Sequence, residues 1–233
     1  HLDTHLPSVT DFALSDAFRN YLSGKKGLEG IFNTLAQDFL YYDPNNLLTF
    51  FDNHDISRGL FVANNDIEKY KIALTILLTT RGIPKIFYGS EIGIVGDEHH
   101  GTIRSPFPGG FENDSLDAFL SCDRTEYQND IFNFTQNLLE LRKNHKSLSE
   151  GKLTHFYPFD NVYVYFRETD DESAMIIVNS SDKESEVDLN KYKETLEKTL
   201  KVKNIRTNEV TDITQNKKII IKKKSAEIFL LIK

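Results

Sequence analysis

The sequence has a single cysteine and fewer basic than acidic side chains, 28 against 35. Cys122 alone can form neither an internal disulfide nor a cysteine-based zinc site, so cysteine usage leaves the redox compartment open. A net charge of −7 and a pI near 5.5 argue against binding a polyanion through a general electrostatic field. No stretch resembles a signal peptide, and no apolar run is long enough to span a bilayer. We therefore expect neither a nucleic-acid nor a membrane partner.

The overall amino-acid composition is that of a globular protein. Hydrophobic residues make up 39% of the 233 positions and aromatic residues 12%, which is enough to fill a core. The length suits one large domain or two ordinary ones.

The stretch from Leu47 to Asp55 is the first candidate for a functional site. Its first five residues are apolar or β-branched and predict a strand over 47–52 that is buried on both faces, as in a parallel sheet covered by helices. Asn53, His54 and Asp55 would then follow the carboxyl end of the strand, where parallel α/β sheets and barrels bind ligands. The alternative is that Asp52 and Asn53 only form a turn and that Asp55 caps the next element.

The neighbouring segments predict alternating strands and helices. A strand-like segment near residues 8–12 leads into a helical pattern, and apolar spacing predicts a helix over 28–41. A second helix begins at Asn65 or Asp66 and ends near Arg81, because Gly82 suits the position after a helix. Residues 83–88 then predict another buried strand. This order implies right-handed crossovers and a parallel sheet.

Residues 94–124 form a long loop rich in glycine and proline, and a loop of that length inside a domain is usually functional. Asp97, Glu98, His99 and His100 mimic a metal cluster, but adjacent ligands rarely converge on one ion, so a solvated loop is the preferred interpretation. His1, Asp3 and His5 are likewise interpreted as a loose terminus. We therefore expect no metal site and no cofactor.

After this loop, Thr125 and Gln128 predict a capping box that opens a helix reaching to about Lys146. From Gly151 the hydrophobic period changes to two, which predicts an antiparallel β-sandwich that folds as a separate domain. The predicted boundaries are 1–149 and 150–233. The strands are expected at 162–166, 174–178, 200–205, 218–222 and 226–232, with the lysine-rich run 217–224 at an edge or facing solvent.

Several motifs, in order, resemble the alpha-amylase family of glycoside hydrolases. The first two are Phe51-Asp52-Asn53-His54-Asp55 and, about thirty residues on, the stretch from Arg81 to Gly93. Further similarity, in Phe107-Pro108-Gly109-Gly110, Asp123-Arg124-Thr125 and residues 160–167, is closest to cyclomaltodextrinases and neopullulanases of the Bacteroidetes type. The resemblance implies an α/β plus all-β protein: the carboxyl-terminal part of a (β/α)8 TIM barrel, about its last three βα units, followed by a β-sandwich.

The resemblance implies retaining hydrolysis or transfer at α-1,4-glucosidic bonds. Asp55 matches the carboxylate that stabilises the transition state, and His54 matches a ligand of the sugar hydroxyls at the same subsite. Asn53 is more plausibly a residue that fixes the loop. The family's nucleophile and acid/base precede the segments matched in this chain, which is therefore expected to be inactive alone.

The remaining candidates line the expected sugar pocket. Tyr88, Phe107 and Phe111 either stack on sugar rings or pack as a lid, and Phe111 stands where the family pattern has tryptophan. Glu91 either belongs to the pocket wall or forms a second acid with Asp55.

The implied partners are a maltooligosaccharide or cyclodextrin substrate and the amino-terminal part of the barrel, in cis or in trans. The three candidate strands alone would have open edges, so the chain should self-associate as a homodimer, bind a partner, or belong to a longer molecule. A non-catalytic carbohydrate-binding module and one half of a split enzyme are the alternatives. The resemblance implies a bacterial protein, periplasmic or cytoplasmic.

Overall fold

A computed structural model describes residues 6–215 and 217–233. The expectation of a loose terminus at His1, Asp3 and His5 lies outside these residues. No helix in the described ranges combines the length and the apolar character that a bilayer crossing requires.

The first part of the chain alternates short strands with helices. Its three strands form a parallel sheet in the order β1-β2-β3, with Thr10 opposite Leu48 and Leu48 opposite Ile83. The strands are β1 (Val9–Thr10), β2 (Leu47–Thr49) and β3 (Ile83–Pro84). The helices are α1 (Phe12–Leu22), α2 (Leu28–Leu35), α3 (Gly59–Val62), α4 (Ile67–Thr79), α5 (His100–Ile103), α6 (Glu126–Asn144) and α7 (Lys146–Glu150).

Two of the predicted helix starts are confirmed. Asp66 caps α4 by accepting a hydrogen bond from the backbone N–H of Lys69, and Thr125 and Gln128 form the complete capping box of α6.

Gly82 occupies the predicted position after α4, with φ of +96°. A Cβ atom there would lie 2.8 Å from the carbonyl oxygen of Leu47, so glycine is also needed for the close approach of β2 and β3.

The helix predicted over 28–41 is too long. α2 ends at Leu35, and a 3₁₀ turn at Asp38–Leu40 follows. The side chain of Asp38 accepts hydrogen bonds from Arg81 at 2.6 to 3.0 Å, while Phe39 beside it is exposed. A long-range ion pair thus replaces the last helical turn.

The strands predicted over 47–52 and 83–88 are also shorter than expected. β2 ends at Thr49 because the chain turns so that Asp52 meets the backbone N–H of Gly59. β3 ends at Pro84, and only Lys85 continues the ladder, through its N–H to the carbonyl of Thr49. The shorter strands leave residues 50–55 and 86–91 free to build the loops at the carboxyl end of the sheet.

The second part of the chain is antiparallel, as predicted. A six-stranded sheet has the order β4-β5-β6-β11-β8-β9, and a two-stranded sheet pairs β10 with β7. The strands are β4 (Lys152–His155), β5 (Val162–Glu168), β6 (Ser173–Asn179), β7 (Ser185–Asp188), β8 (Lys201–Asn204), β9 (Val210–Asp212), β10 (Lys218–Ile221) and β11 (Ser225–Ile232), with the short helix α8 (Lys193–Leu196) between β7 and β8. β4, β7 and β9 were not anticipated from the sequence.

The lysine-rich strand β10 lies over the large sheet with its alternate residues inward. Ile219 and Ile221 are buried, whereas Ile220 between them is exposed. They share a core with Val164, Phe166 and Ile177 of the large sheet.

The opposite face of the six-stranded sheet packs on the helices of the first part. Tyr163, Tyr165 and Ile176 belong to one buried cluster with residues of α1, α2, α4 and α6. The hydroxyls of Tyr165 and Thr79 lie 2.6 Å apart within it. The two parts of the chain therefore share one hydrophobic core, and the boundary at 149/150 stays a prediction.

The three-stranded parallel sheet has open edges within the described residues, since β1 and β3 each pair only with β2. Large apolar side chains around it face solvent: Phe12, Phe39, Leu40, Tyr42 and Ile83. Apolar surface at an unpaired sheet edge is the usual mark of an interface with further polypeptide.

Candidate active site

The turn that follows β2 presents its polar side chains on two sides. Asn53 is buried, and its Oδ1 accepts the backbone N–H of Asp55 at 2.7 Å, which closes the turn. His54 and Asp55 point outward, with side chains 58% and 57% exposed, and His54 Nε2 lies 3.1 Å from Asp55 Oδ2. Asn53 therefore shapes the loop, and the pair His54–Asp55 is accessible to a ligand.

Arg104, in the loop after β3, holds this pair in place. Its Nη2 donates to Asp55 Oδ1 at 3.0 Å, and its Nε donates to the carbonyl oxygen of His54 at 2.9 Å. Because His54 approaches the other carboxylate oxygen, both oxygens of Asp55 have a neighbour that fixes their orientation.

Asp52, at the start of the same turn, is a buried carboxylate with a structural role. Its Oδ2 accepts the backbone N–H of Gly59 at 2.9 Å, and both of its oxygens accept Ser90 Oγ at 2.9 to 3.0 Å. Burial raises the pKa of Asp52, while the hydrogen bonds from Gly59 and Ser90 and the charges of Arg58 and Arg19 oppose that shift. Asp52 thereby ties the loop after β2 to the loop after β3.

Arg58 supports the site from beneath. Its side chain is fully buried, and it donates from Nε to the carbonyl of Ile103 at 2.9 Å and from Nη1 to that of Tyr88 at 2.5 Å. Its guanidinium also lies 4.1 Å from the ring centroid of Phe87. These contacts fix the segment that carries Arg104 against the segment that carries Asp55.

Glu91 is placed away from Asp55. It lies in a 3₁₀ turn at Ser90–Ile92 and lines a groove of about 300 Å³ on α6, together with Phe132, Leu139 and Lys143. No hydrogen-bond partner is shared by Glu91 and Asp55 within the described chain. Of the two alternatives for Glu91, the acid pair with Asp55 thus receives no support from these contacts.

The three candidate aromatic residues do not form one platform. Tyr88 is partly exposed beside the site, and its hydroxyl donates to the carbonyl of Ser105 at 3.0 Å. Phe107 packs on Phe119 with ring centroids 4.6 Å apart, as expected for a lid, whereas Phe111 is exposed farther along the loop. Tyr88 is thus the aromatic residue tied most directly to the loops that carry the site.

The acidic and histidine-rich stretch at 97–100 caps a local turn. Asp97 accepts the backbone N–H of His99 at 2.9 Å and also the hydroxyl of Thr102. Across residues 6–215 and 217–233, no three His, Cys, Asp or Glu side chains are grouped to hold a metal ion.

Asp52, Arg58 and Arg104 are the site residues that sequence reasoning missed. Asp52 was assigned only to a turn, and the other two were not considered. A charged residue directly after an apolar run, as Asp52 is after Phe50-Phe51, is one available signal for a buried hydrogen-bonded role. Arg104 gave no such signal, because its partner lies 49 residues away in sequence.

Three parallel strands with helical crossovers, and a polar cluster at their carboxyl ends, are an arrangement found in α/β barrels and in doubly wound sheets. Two family models match the chain: the alpha amylase catalytic domain over residues 29–118 and the cyclo-malto-dextrinase C-terminal domain over residues 153–229. The resemblance to the alpha-amylase family of glycoside hydrolases, predicted from the motifs, is confirmed. The sequence-based expectation of a barrel portion followed by a β-sandwich is confirmed.

Individual relatives agree with this assignment. Cyclomaltodextrinase of Thermoanaerobacter pseudethanolicus is 28% identical over 203 residues, which span 85% of this chain and 33% of that protein. Alpha-amylase 3 of Dictyoglomus thermophilum is 31% identical over 75% of this chain and 38% of its own length. The crystal structure of Geobacillus thermoleovorans alpha-amylase complexed with acarbose superposes with a TM-score of 0.81 at 23% identity, covering 98% of this chain and 48% of that one. The chain thus spans about a third of the length of these two curated relatives.

Proposed function

We propose that this chain is part of a retaining glycoside hydrolase that acts on α-1,4-glucosidic bonds of cyclodextrins, maltodextrins or pullulan. In this proposal Asp55 stabilises the transition state, and His54 binds hydroxyls of the same sugar. The observation that carries the proposal is the turn after β2, where Asn53 is buried as a brace while His54 and Asp55 are exposed side by side.

The chemistry explains why an accessible and oriented carboxylate is useful. Glycoside cleavage passes through an oxocarbenium-like transition state, in which the sugar ring gains positive charge. A carboxylate fixed beside that ring stabilises the transition state more than the neutral ground state, so it lowers the barrier. Arg104 and His54 hold Asp55 before substrate arrives, which avoids reorganisation during the reaction.

Asp55 alone cannot complete a retaining reaction. That reaction needs a nucleophile and an acid/base, two carboxyl groups about 5 to 5.5 Å apart across the scissile bond. Within the described residues, Glu91 faces a groove on α6 and Asp52 is committed to Ser90 and Gly59. We infer that both missing groups come from other polypeptide that pairs with the open edges of β1 and β3, in cis or in trans.

The proposal is tested in a longer protein that carries the rest of the barrel. Asp55→Asn should lower kcat by about a thousandfold or more with a modest change in KM, which corresponds to about 4 kcal/mol of lost transition-state stabilisation. Glu98→Gln, a change of an exposed acid in the neighbouring loop, should leave kcat unchanged. The substrates are β-cyclodextrin, maltoheptaose and pullulan. Near-normal turnover by Asp55→Asn would refute the assignment.

The 233-residue chain by itself should release no glucose or maltose from these substrates. If it does, and Asp55→Asn abolishes the release, a second carboxylate of this chain completes the site and the inferred dependence on other polypeptide is wrong. Restoration of activity by a separately produced amino-terminal part would identify a split enzyme. Sugar binding without turnover in every combination would identify a binding module.

A further inference from the structure

Arg167, in the middle of β5, is a fully buried cation with an incomplete set of partners. Its Nε donates to the carbonyl oxygen of Ser147 at 3.2 Å. Its terminal nitrogens Nη1 and Nη2 are sealed from solvent and have no acceptor within the described residues. A guanidinium carries five N–H donors in a rigid fork, so four of the five remain unused.

The charges around Arg167 do not compensate it. Arg142 lies nearby, and its terminal nitrogens donate to the carbonyl oxygens of Leu78, Leu148 and Gly82 at 2.6 to 2.9 Å. The other cation near Arg167 is Arg81.

Arg81 already has both available carboxylates. It binds Asp11 at 2.5 Å and Asp38 at 2.6 Å. Asp38, the carboxylate whose charge acts on Arg167, is therefore already hydrogen-bonded to Arg81, and Arg167 has no carboxylate of its own. Buried charges in proteins are normally paired, because removing an ion from water is costly.

Arg167 is charged under physiological conditions. Burial, followed by the neighbouring charge of Arg142, lowers its pKa to about 10, which remains well above neutral pH. Loss of the proton is thus not how the protein resolves the imbalance.

We propose that the two terminal nitrogens of Arg167 bind a small monovalent anion of the size of chloride. A water molecule would satisfy the N–H donors but would leave the positive charge, whereas an anion satisfies both. The enclosed setting favours a monatomic ion over sulfate or a sugar carboxylate. The site is separate from the candidate active site: Arg142 contacts Gly82 at the amino end of β3, while Asp55 follows the carboxyl end of the parallel strand β2.

Such an ion would lie where the helices meet the large sheet. Ser147 belongs to α7, Gly82 precedes β3, and Arg167 is in β5, so the ion would stabilise the contact between the two parts of the chain. The expected consequence is stability that depends on the identity of the anion.

The test is thermal unfolding of the 233-residue chain in chloride, bromide and gluconate at constant ionic strength. Gluconate is too large for an enclosed site and serves as the reference. Relative to gluconate, Tm should rise with the logarithm of the chloride concentration, by about 5 to 10 °C at a hundred times the dissociation constant. Arg167→Met should abolish this dependence. Arg206→Met is the matched control. Arg206 also has two buried nitrogens without a partner, Nε and Nη2, but its charge faces the carboxylate of Glu227 and its guanidinium stacks on Phe134, so this variant should retain the dependence.

A bromide soak of wild-type crystals decides the question even if Arg167→Met does not fold. An anomalous peak within hydrogen-bonding distance of Nη1 and Nη2 supports the proposal. An ordered water at that position, a Tm that is equal in chloride and gluconate, or an undiminished chloride effect in Arg167→Met would each overturn it. Bromide seen only in the crystal, with no halide effect on Tm, would also overturn it.

Discussion

Replacing Arg81 with methionine tests whether a buried ion network sets the local geometry of the parallel sheet. Arg81 is 2% exposed and joins Asp11, which caps α1, to Asp38, which begins the 3₁₀ turn after α2. Methionine keeps much of the volume and removes the charge.

The expected loss of stability follows from the burial of the carboxylates that Arg81 binds. Asp11 is 3% exposed, so the variant leaves a carboxylate out of contact with both water and a cation. Removing one partner of a buried ion pair typically costs about 3 to 5 kcal/mol. For a chain of this size that corresponds to a fall in Tm of about 6 to 20 °C.

The measurement is urea unfolding followed by circular dichroism, with Tm as a second readout. Lys218→Met is the control, because the Lys218–Glu186 pair has the same 2.6 Å separation as Arg81–Asp38, but both of its side chains are 55% exposed. Its loss should cost at most about 1 kcal/mol. The triple variant Arg81→Met, Asp11→Asn, Asp38→Asn should recover part of the stability, because neither carboxylate is then left without its cation. Equal costs for Arg81→Met and Lys218→Met would refute the reasoning.

Three further predictions follow from the fold. Gly82→Ala should destabilise the chain by more than about 1 kcal/mol in urea, because φ is +96° and the new Cβ would crowd Leu47, whereas Gly101→Ala, in open space, should be nearly neutral; similar midpoints for the two would contradict this. Asp52→Asn should flatten the pH dependence of stability. The folded-state pKa of Asp52 is raised above its ordinary 3.8, so ionisation of this group lowers the free energy of unfolding as pH rises above 3.8. If Tm falls equally steeply with pH in the variant and in the wild type, this prediction is wrong. An excised 150–233 fragment should unfold or aggregate, contrary to the sequence-based expectation of a separately folding domain, because the sheet face bearing Tyr165 loses its helices; a folded monomer by NMR would support the separate domain instead.

Local signals were sufficient to predict most element types. The caps at Asp66 and Thr125 and the glycine at 82 act within three or four residues, so a single sequence window contains the information. The hydrophobic period changes to two near Gly151 because successive residues of a strand point to opposite faces of the sheet. Both faces of the large sheet are covered, one by the helices and the other by β10.

The predicted ends of helices and strands were wrong where a side chain near the end binds a residue far away in the sequence. α2 stops early because Asp38 serves Arg81, 43 residues later, and β2 stops early because Asp52 serves Ser90, 38 residues later. The same reason explains why Arg104 was missed while Asp55 was found through its motif. Hydrogen bonds between loops leave no periodic trace in a sequence.

The hydroxyl pair of Thr79 and Tyr165 has a consequence for recombining such enzymes. The pair crosses from α4 to the large sheet in the middle of a common core. A chimera that joins this barrel portion to the carboxyl-terminal sheet of a relative would bring together two surfaces that were selected in different molecules. Loss of the Thr79 hydroxyl would leave that of Tyr165 without its partner in an apolar interior, whereas Thr79 would keep its bond to the carbonyl of Thr75, so compatible grafts should be those that keep threonine at 79 wherever tyrosine stands at 165.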